Sequence, residues 1–263
     1  MRQIALGNGE ITASQVALGI MRMGKKSVED ATTVLKTVYD QGVNFFDSAD
    51  IYTDGESELV FGKALKNAGI PRDKVYIQSK AGIVLDHART TANGLVFGQR
   101  YDFSKEHLLQ AVDGILERIG QKLIINQVQL SLKHTPLIDS EIFVNRLEDE
   151  AVDRESGMPE YSRKNNITLQ AWSPYQYGMF EGVFIDNPKF PELNAMMDEI
   201  AKKYGVTKNA IATAWITRLP HNVQVILGSM NPQHLEESIA GADIRLTRQE
   251  WYDLYLAAGH KLP

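Results

Sequence analysis

Six short runs of β-branched and aromatic residues punctuate this chain, and helical periodicity follows most of them. The runs are Val16–Ile20, Val43–Asp47, Lys74–Lys80, about Leu123–Leu132, Ile167–Trp172 and Val223–Leu227. Between the first two, Ser27 stands ready to cap a helix in which Ala31, Val34, Leu35 and Val38 recur at helical spacing, and Gly42 ends it. A second helix is expected from about Ser57 to Lys66, with Leu59, Val60 and Leu65 facing inward. A third runs from Ser104 to Gly120 on a stripe of Leu108, Val112, Ile115 and Ile119. Further helices are expected at about 159–165, 192–204 and 208–218, the last capped by Thr207. Pro232 suits the first turn of another, and Thr247–Glu250 forms a capping box for the final one. Three long connections interrupt the rhythm, at 81–103, at 133–152 and from Trp172 to Phe190. A hairpin stands in front, with Ile4–Leu6 and Glu10–Thr12 flanking Gly7-Asn8-Gly9. Strands alternating with helices predict a parallel sheet with helices outside it, as a barrel or a doubly wound sheet.

The length of 263 residues fits one α/β barrel, which takes about 250. No break in composition marks a linker, so residues 1–263 read as a single domain. Hydrophobic residues at 43% and charged residues at 23% argue against disorder. The absence of cysteine excludes disulfides, thiolate metal sites and cysteine nucleophiles. A net charge of −5 provides no broad basic field, so no nucleic-acid partner is expected. No run of 18 apolar residues appears, and the segment Met1-Arg2-Gln3-Ile4-Ala5 lacks the pattern of a secretory signal. The expectation is a cytoplasmic protein without a membrane partner.

Both candidate architectures put their chemistry at the C-terminal ends of the strands. Asp47 ends the second run, Lys80 ends the third, and Tyr52 follows Asp47 in the intervening loop. A carboxylate, an ammonium and a phenol then meet on one face. A nearby ammonium favours the phenolate and is expected to lower the tyrosine pKa, while the carboxylate holds the lysine in place. That trio can donate a proton to a carbonyl oxygen that is gaining negative charge. A buried ion pair beside a packing tyrosine fits the same spacing.

The segment Gly42-Val43-Asn44-Phe45-Phe46-Asp47-Ser48-Ala49-Asp50-Ile51-Tyr52 resembles the signature of the aldo-keto reductases. So do Gly55-Glu56-Ser57-Glu58, Val75–Lys80, Gln170-Ala171-Trp172-Ser173-Pro174 and Val225–Pro232. The likeness covers nearly the whole chain and points to the bacterial subgroup of oxidoreductases. It implies a (β/α)8 TIM-type barrel with an N-terminal hairpin, an extended NADPH and reduction of a small aldehyde or ketone. It also implies roles for individual residues. Tyr52 becomes the proton donor, Lys80 its modulator and Asp47 the lysine's partner. Gln127 would hold the nicotinamide carboxamide and Trp172 would stack on the ring. Met21 and Arg22 would lie near the nicotinamide ribose. Ser173, Tyr175 and Gly178 belong to the loop around the diphosphate, Gly228, Ser229 and Asn231 to the 2′-phosphate loop, and Glu237 to the adenine side. No metal is implied.

Two departures stand out. Six β/α units are visible where the family has eight, and the two without counterparts belong between Gly120 and Leu123. At about 31 residues each, they amount to roughly 60 residues. They include the family's catalytic histidine and the Ser-Asn pair that grips the carboxamide. Their loss exposes the edges of the strands at 74–80 and 123–132. Either the barrel closes with fewer strands, or two chains cover each other's edges, or the natural protein carries residues that this chain lacks. A complete barrel implies a monomer, and open edges imply a dimer. His134 matches the loop after the fourth visible strand, not the missing histidine, and His107 sits beside the stripe of the third helix. The second departure is His234, where many members have an arginine that grips the 2′-phosphate. NADH therefore stays open beside NADPH.

Other motifs are weaker. Gly19–Lys26 nearly matches a phosphate-binding loop, but Lys26 stands where a Ser or Thr is required. Asp47, Asp50, Asp54, Glu56 and Glu58 suit the solvated start of a helix. Trp251, Tyr252 and Tyr255 suit packing, whereas Tyr175, Tyr177, Met179 and Phe180 suit the walls of a site. The sequence thus yields two functions. One is an NADPH-dependent carbonyl reductase. The other is a catalytically impaired relative that binds a nucleotide or a partner.

Overall fold

The fold was described from a computed structural model covering residues 1–6, 9, 11–49, 51–53, 55–78, 80, 83–84, 100–101, 125–142, 149, 158–164, 166–178 and 181–263. Gly7, Asn8, Asp50, Asp54, Met179, Phe180, the expected third helix with His107, and the junction from Gly120 to Leu123 lie outside the described residues.

Strands β1 (Gln3–Leu6) and β2 (Ile11–Ser14) form the expected antiparallel hairpin, pairing Gln3 with Ser14 and Leu6 with Ile11. The chain then enters β3 (Val16–Gly19), followed by β4 (Phe45–Asp47) and β5 (Tyr76–Gln78). Two short strands, β6 (Ile83–Val84) and β7 (Arg100–Tyr101), pair antiparallel within the first long connection. Next come β8 (Ile125–Gln129), β9 (Thr168–Trp172) and β10 (Val223–Leu227). Six of these strands make one sheet in the order β5-β4-β3-β10-β9-β8, with every neighbouring pair parallel. The outer strands are β5 and β8, the two between which the family resemblance leaves two β/α units without counterparts. Among the described residues no backbone ladder joins them.

The inner strands β3, β4, β9 and β10 are buried on both faces, which is why they read as near-continuous apolar runs. Every residue of β3 and β10 is buried. The helices cover the outer face: α1 (Val28–Asp40), α2 (Glu56–Asn67), α3 (Pro136–Ile142), α4 (Met158–Lys164), α5 (Pro191–Tyr204), α6 (Lys208–Thr217), α7 (Pro232–Ala240) and α8 (Arg248–Ala257). None of the described helices is long and apolar enough to cross a membrane. The hairpin covers the end where the strands begin. Its Ile4, Leu6 and Ala13 pack with Ala17, Phe45 and Ile226, and Asn222, just ahead of β10, donates its amide to the Ala5 carbonyl.

Local chemistry fixes the helix ends as expected at several places. Ser27 Oγ accepts from the Asp30 N–H and starts α1, and Gly42 follows that helix at φ 86°. Thr207 precedes α6 but makes no side-chain cap. Two further expectations need correction. In α2, Leu59 is 57% exposed, and the buried face is Ser57, Phe61, Ala64 and Leu65. Ser57 Oγ donates to the Met21 carbonyl and accepts from the Gly24 N–H, so it pins the helix in rotation. That rotation brings Phe61 onto Phe46, with ring centroids 5.2 Å apart. The connection at 133–152 contains the helix α3, where Pro136 opens the first turn and Leu137 and Ile138 are buried.

The C-terminal helix locks the sheet's cover. Trp215 and Trp251 stack with centroids 4.8 Å apart, and each indole N–H donates to the other residue's carbonyl, at 3.1 and 3.0 Å. Trp251 and Tyr255 are buried here, in line with the packing role expected of them. The Thr247–Glu250 capping box is complete. Its Glu250 also receives the Lys203 ammonium and the Tyr204 hydroxyl from α5. Burial alone raises that carboxyl, but hydrogen bonds from Lys203, the Thr247 N–H and Tyr204 outweigh it and hold the pKa at about 2, against an ordinary 4.5. A carboxylate held low in the folded state stabilises it above its unfolded pKa and loses that contribution as pH falls. We therefore predict that the urea midpoint drops between pH 5 and pH 2 more steeply in the wild type than in Glu250→Gln. Parallel slopes would remove Glu250 from that role.

Candidate active site

At the C-terminal ends of the strands, Asp47 is 3% exposed, and one of its oxygens is a meeting point for three donors. Lys80 Nζ approaches Oδ1 at 2.7 Å, Gln78 Nε2 at 2.6 Å and Gln127 Nε2 at 3.1 Å. Lys80 also donates to the Ser48 carbonyl at 2.6 Å. Its side chain stays 34% exposed, and its ammonium lies 5.1 Å from the centre of the Tyr52 ring. The three residues singled out in the sequence thus converge as an ion pair with a phenol beside it.

The proton chemistry differs from expectation in one respect. Tyr52 was expected to be lowered by Lys80, yet its hydroxyl is pushed well above the ordinary 10. Desolvation by burial is the larger cause, and the negative charge of Asp47 adds to it. The Lys80 ammonium, held against Asp47, does not outweigh these two effects. The phenol is therefore held firmly as the protonated acid.

Behind this trio lies a belt of amides that the sequence reading did not identify. Gln78 Nε2 and Gln127 Nε2 each donate to Gln170 Oε1 as well, at 3.0 and 3.3 Å. Gln170 Nε2 donates to Gln224 Oε1 at 2.7 Å, and Gln224 Nε2 to the Ser14 carbonyl at 2.7 Å. Register places Gln127, Gln170 and Gln224 side by side on β8, β9 and β10, and Asp47 beside Gln78 on β4 and β5. The belt therefore spans the interval between the outer strands with side chains alone. The signal was present in the sequence, since each of these five runs carries one of these polar residues among its apolar neighbours.

The loop holding Tyr52 is fixed by close approach. A Cβ on Gly24 would stand 2.1 Å from Thr53 Oγ1 and 2.8 Å from the Ser57 nitrogen, so only glycine lets the two loops pass. Thr53 and Ser173, which follow Tyr52 and Trp172, both adopt positive φ, at 48° and 53°. That is uncommon for non-glycine residues, above all for a β-branched one, and it marks both turns as constrained.

The remaining expected residues fall into two groups. Trp172 and Ser173 are half-buried at the end of β9, and Met21 and Arg22 follow β3, Met21 half-buried and Arg22 exposed. Gly228, Ser229, Asn231 and Glu237 gather around the start of α7. Gly228 is exposed with open space where a Cβ would lie. Asn231 caps the helix, accepting from the Gln233 N–H, while Glu237 accepts from Asn209 at 2.6 Å and from Gln233 at 3.0 Å. Tyr175 turns its hydroxyl inward to Thr213 Oγ1 at 2.6 Å, and burial pushes that phenol up to about 12. Gly178 lies against the flexible end of Glu181. His134 forms a tight bridge with Ser131, and no hydrogen bond or ion pair among the described residues joins it to Asp47, Tyr52 or Lys80.

Two outcomes follow from this geometry. Gln170→Leu takes one acceptor from the Gln78 and Gln127 amide nitrogens and the donor from Gln224 Oε1, so it should lower stability by about 2–3 kcal/mol in urea unfolding. In ultraviolet titration, Tyr52→Phe should remove a phenol that ionises above the ordinary tyrosine range. Loss of a phenol titrating near 10 would contradict the burial argument.

Comparison with known proteins bears on this arrangement. A sequence profile described as the Aldo/keto reductase family matches residues 15–141 and 124–255. A 6-dehydroglucose reductase of Agrobacterium fabrum is 25% identical over 305 aligned positions, covering 98% of each chain. An NADH-specific methylglyoxal reductase of Escherichia coli is 23% identical over 316 positions, covering 94% of this chain and 95% of its own. Both alignments are longer than the 263 residues here, so the relatives have residues where this chain has none. A Bombyx mori aldo-keto reductase solved in complex with NADP superposes with a TM-score of 0.64 at 15% identity, covering 99% of this chain and 94% of that one. A thermostable aldo-keto reductase solved with the inhibitor epalrestat gives 0.62 at 21% identity, covering 98% and 100%. These structures show the fold, a barrel of the (β/α)8 TIM type.

Proposed function

The chain belongs to the aldo/keto reductase family and is an NAD(P)H-dependent oxidoreductase of carbonyl compounds, and we propose that Tyr52 is its proton donor and that NADPH is its cofactor. The observation that carries this reading is the Lys80–Asp47 ion pair set against the Tyr52 ring.

The residues present fit a nicotinamide dinucleotide. Both hydrogens of the Gln127 amide are committed to Asp47 and Gln170, which leaves its carbonyl oxygen to accept from the NH2 of a carboxamide. Trp172, half-buried at the end of β9, offers a flat face for a ring. The open Gly228 and the capped start of α7 offer backbone N–H groups for a phosphate. When bound, the nicotinamide supplies the hydride. The protein's own part is to hold a substrate carbonyl near Tyr52 and to give its oxygen a proton. Lys80, fixed by Asp47 and the Ser48 carbonyl, places a positive charge beside the phenol. That charge stabilises the tyrosinate left after the proton moves. Burial before the reaction keeps the proton on Tyr52, so the acid is fully charged with its proton at neutral pH.

The NADH-specific relative and His234 at the 2′-phosphate loop leave a place for NADH beside NADPH, which comparison of the two KM values decides. Substrates are small aldehydes and ketones, of the kind named for the relatives. A competing reading is a dinucleotide binder with little turnover. It is favoured by the two β/α units without counterparts, to which the family's catalytic histidine and the Ser-Asn pair belong.

Tyr52→Phe should cut kcat by about 10²–10⁴ while leaving the cofactor Kd within about twofold, measured by steady-state reduction of methylglyoxal and by nucleotide fluorescence. No inflection attributable to Tyr52 is expected below pH 10 in the reduction rate. Wild-type protein that binds NADPH yet turns over no aldehyde or quinone would support the binder.

A further inference from the structure

We propose that the face opposite the catalytic end carries a second site, for a small organic phosphate. A cavity of about 420 Å³ opens there, between the hairpin, the end of α4 and the starts of β9 and β10. Two guanidinium-bearing residues line it, Arg2 beside β1 and Arg163 in the last turn of α4. Among the described residues neither side chain has a hydrogen bond or an ion pair, and no aspartate or glutamate lines the cavity. In a chain of net charge −5, two unpaired arginines at one cavity are a local inversion of sign.

The second observation is Ser162. It lines the cavity, is 2% exposed, and its hydroxyl has no hydrogen-bond partner among the described residues. A buried hydroxyl without a partner is costly, and natural proteins seldom leave one unless a ligand or water completes it. Asn166 adds an amide to the polar lining, and it stands at φ 54° in the turn that leaves α4. Ile4 and Leu169 supply apolar walls.

These groups select the ligand by chemistry. Planar guanidinium forks bind phosphate oxygens through paired hydrogen bonds, and two of them suit a dianion. A hydroxyl completes the oxygen shell. The apolar walls and the volume accept a body larger than the phosphate group itself. The shared chemistry is a phosphoryl dianion, free or on a small polyol. The site joins the hairpin to the sheet, so its ligand stabilises the folded state by linkage.

The test is thermal unfolding of the full chain with ribose 5-phosphate, with inorganic phosphate, and with sodium chloride at matched ionic strength. The expected result is a saturable rise in Tm with either phosphate beyond the chloride arm. A larger rise for the sugar phosphate identifies an organic ligand, and equal rises identify free phosphate. The doubly substituted Arg2→Gln, Arg163→Gln chain should weaken the apparent affinity at least tenfold. It removes two side chains that hold nothing in the fold, so its Tm without ligand should be unchanged. Ser162→Ala should keep or raise that baseline Tm and weaken phosphate binding. An undiminished rise in the double variant would place the phosphate elsewhere, including at the start of α7, and overturn the proposal. So would the absence of any rise beyond chloride.

Discussion

One carboxylate oxygen organises the interior of this protein. Asp47 Oδ1 takes a lysine ammonium and two glutamine amides, and those amides come from the two outer strands of the sheet. A buried carboxylate is tolerated only when its lone pairs are filled by good donors. Here filling them also ties β5 to β8, which share no backbone ladder among the described residues. The group that fixes Lys80 beside Tyr52 is thus the group that draws the two ends of the sheet together. The geometry of the candidate site and the link between the outer strands rest on the same contact.

Much of this arrangement was legible in the sequence. The hairpin, the six strands, the Ser27 cap, the Thr247 capping box and the trio at the strand ends follow from rules that act over a few residues. Leu59 was misread because apolar character alone does not set a helix's rotation. Ser57, polar and buried through bonds to a distant loop, sets it instead. The direction of the Tyr52 shift was misread for a related reason. Proximity of Lys80 was foreseeable, but burial of the phenol and the added charge of Asp47 are properties of the assembled site. The helix at Pro136–Ile142 escaped because seven residues give too short a period to recognise. The amide belt escaped because each glutamine looks ordinary in its own strand. Only the register of five strands shows them as neighbours.

The comparisons bear on the length of this chain. The family pattern is matched in two overlapping stretches, and curated relatives align over more positions than this chain possesses. The sheet ends in β5 on one side and β8 on the other. Strand number, tilt and shear are linked in a closed barrel, so a ladder between these two strands would require the whole sheet to re-tilt. Long polar side chains reach across without that adjustment. Glutamine does so with a neutral group that both donates and accepts, adding no further charge beside Asp47 and Lys80.

The direction of the amide belt has a consequence for how such a sequence can drift. Its two ends, a carboxylate and the Ser14 carbonyl, can only accept. Gln78 and Gln127 must therefore present nitrogen to Asp47, and Gln224 must present nitrogen to Ser14. Gln170 is then left with one permitted orientation between them. Replacing any rung by an acid or a hydrocarbon breaks a sentence whose first and last words are fixed. A change at one interior glutamine therefore calls for a matching change at its neighbour, and the orientation of an amide two strands away is dictated by one aspartate.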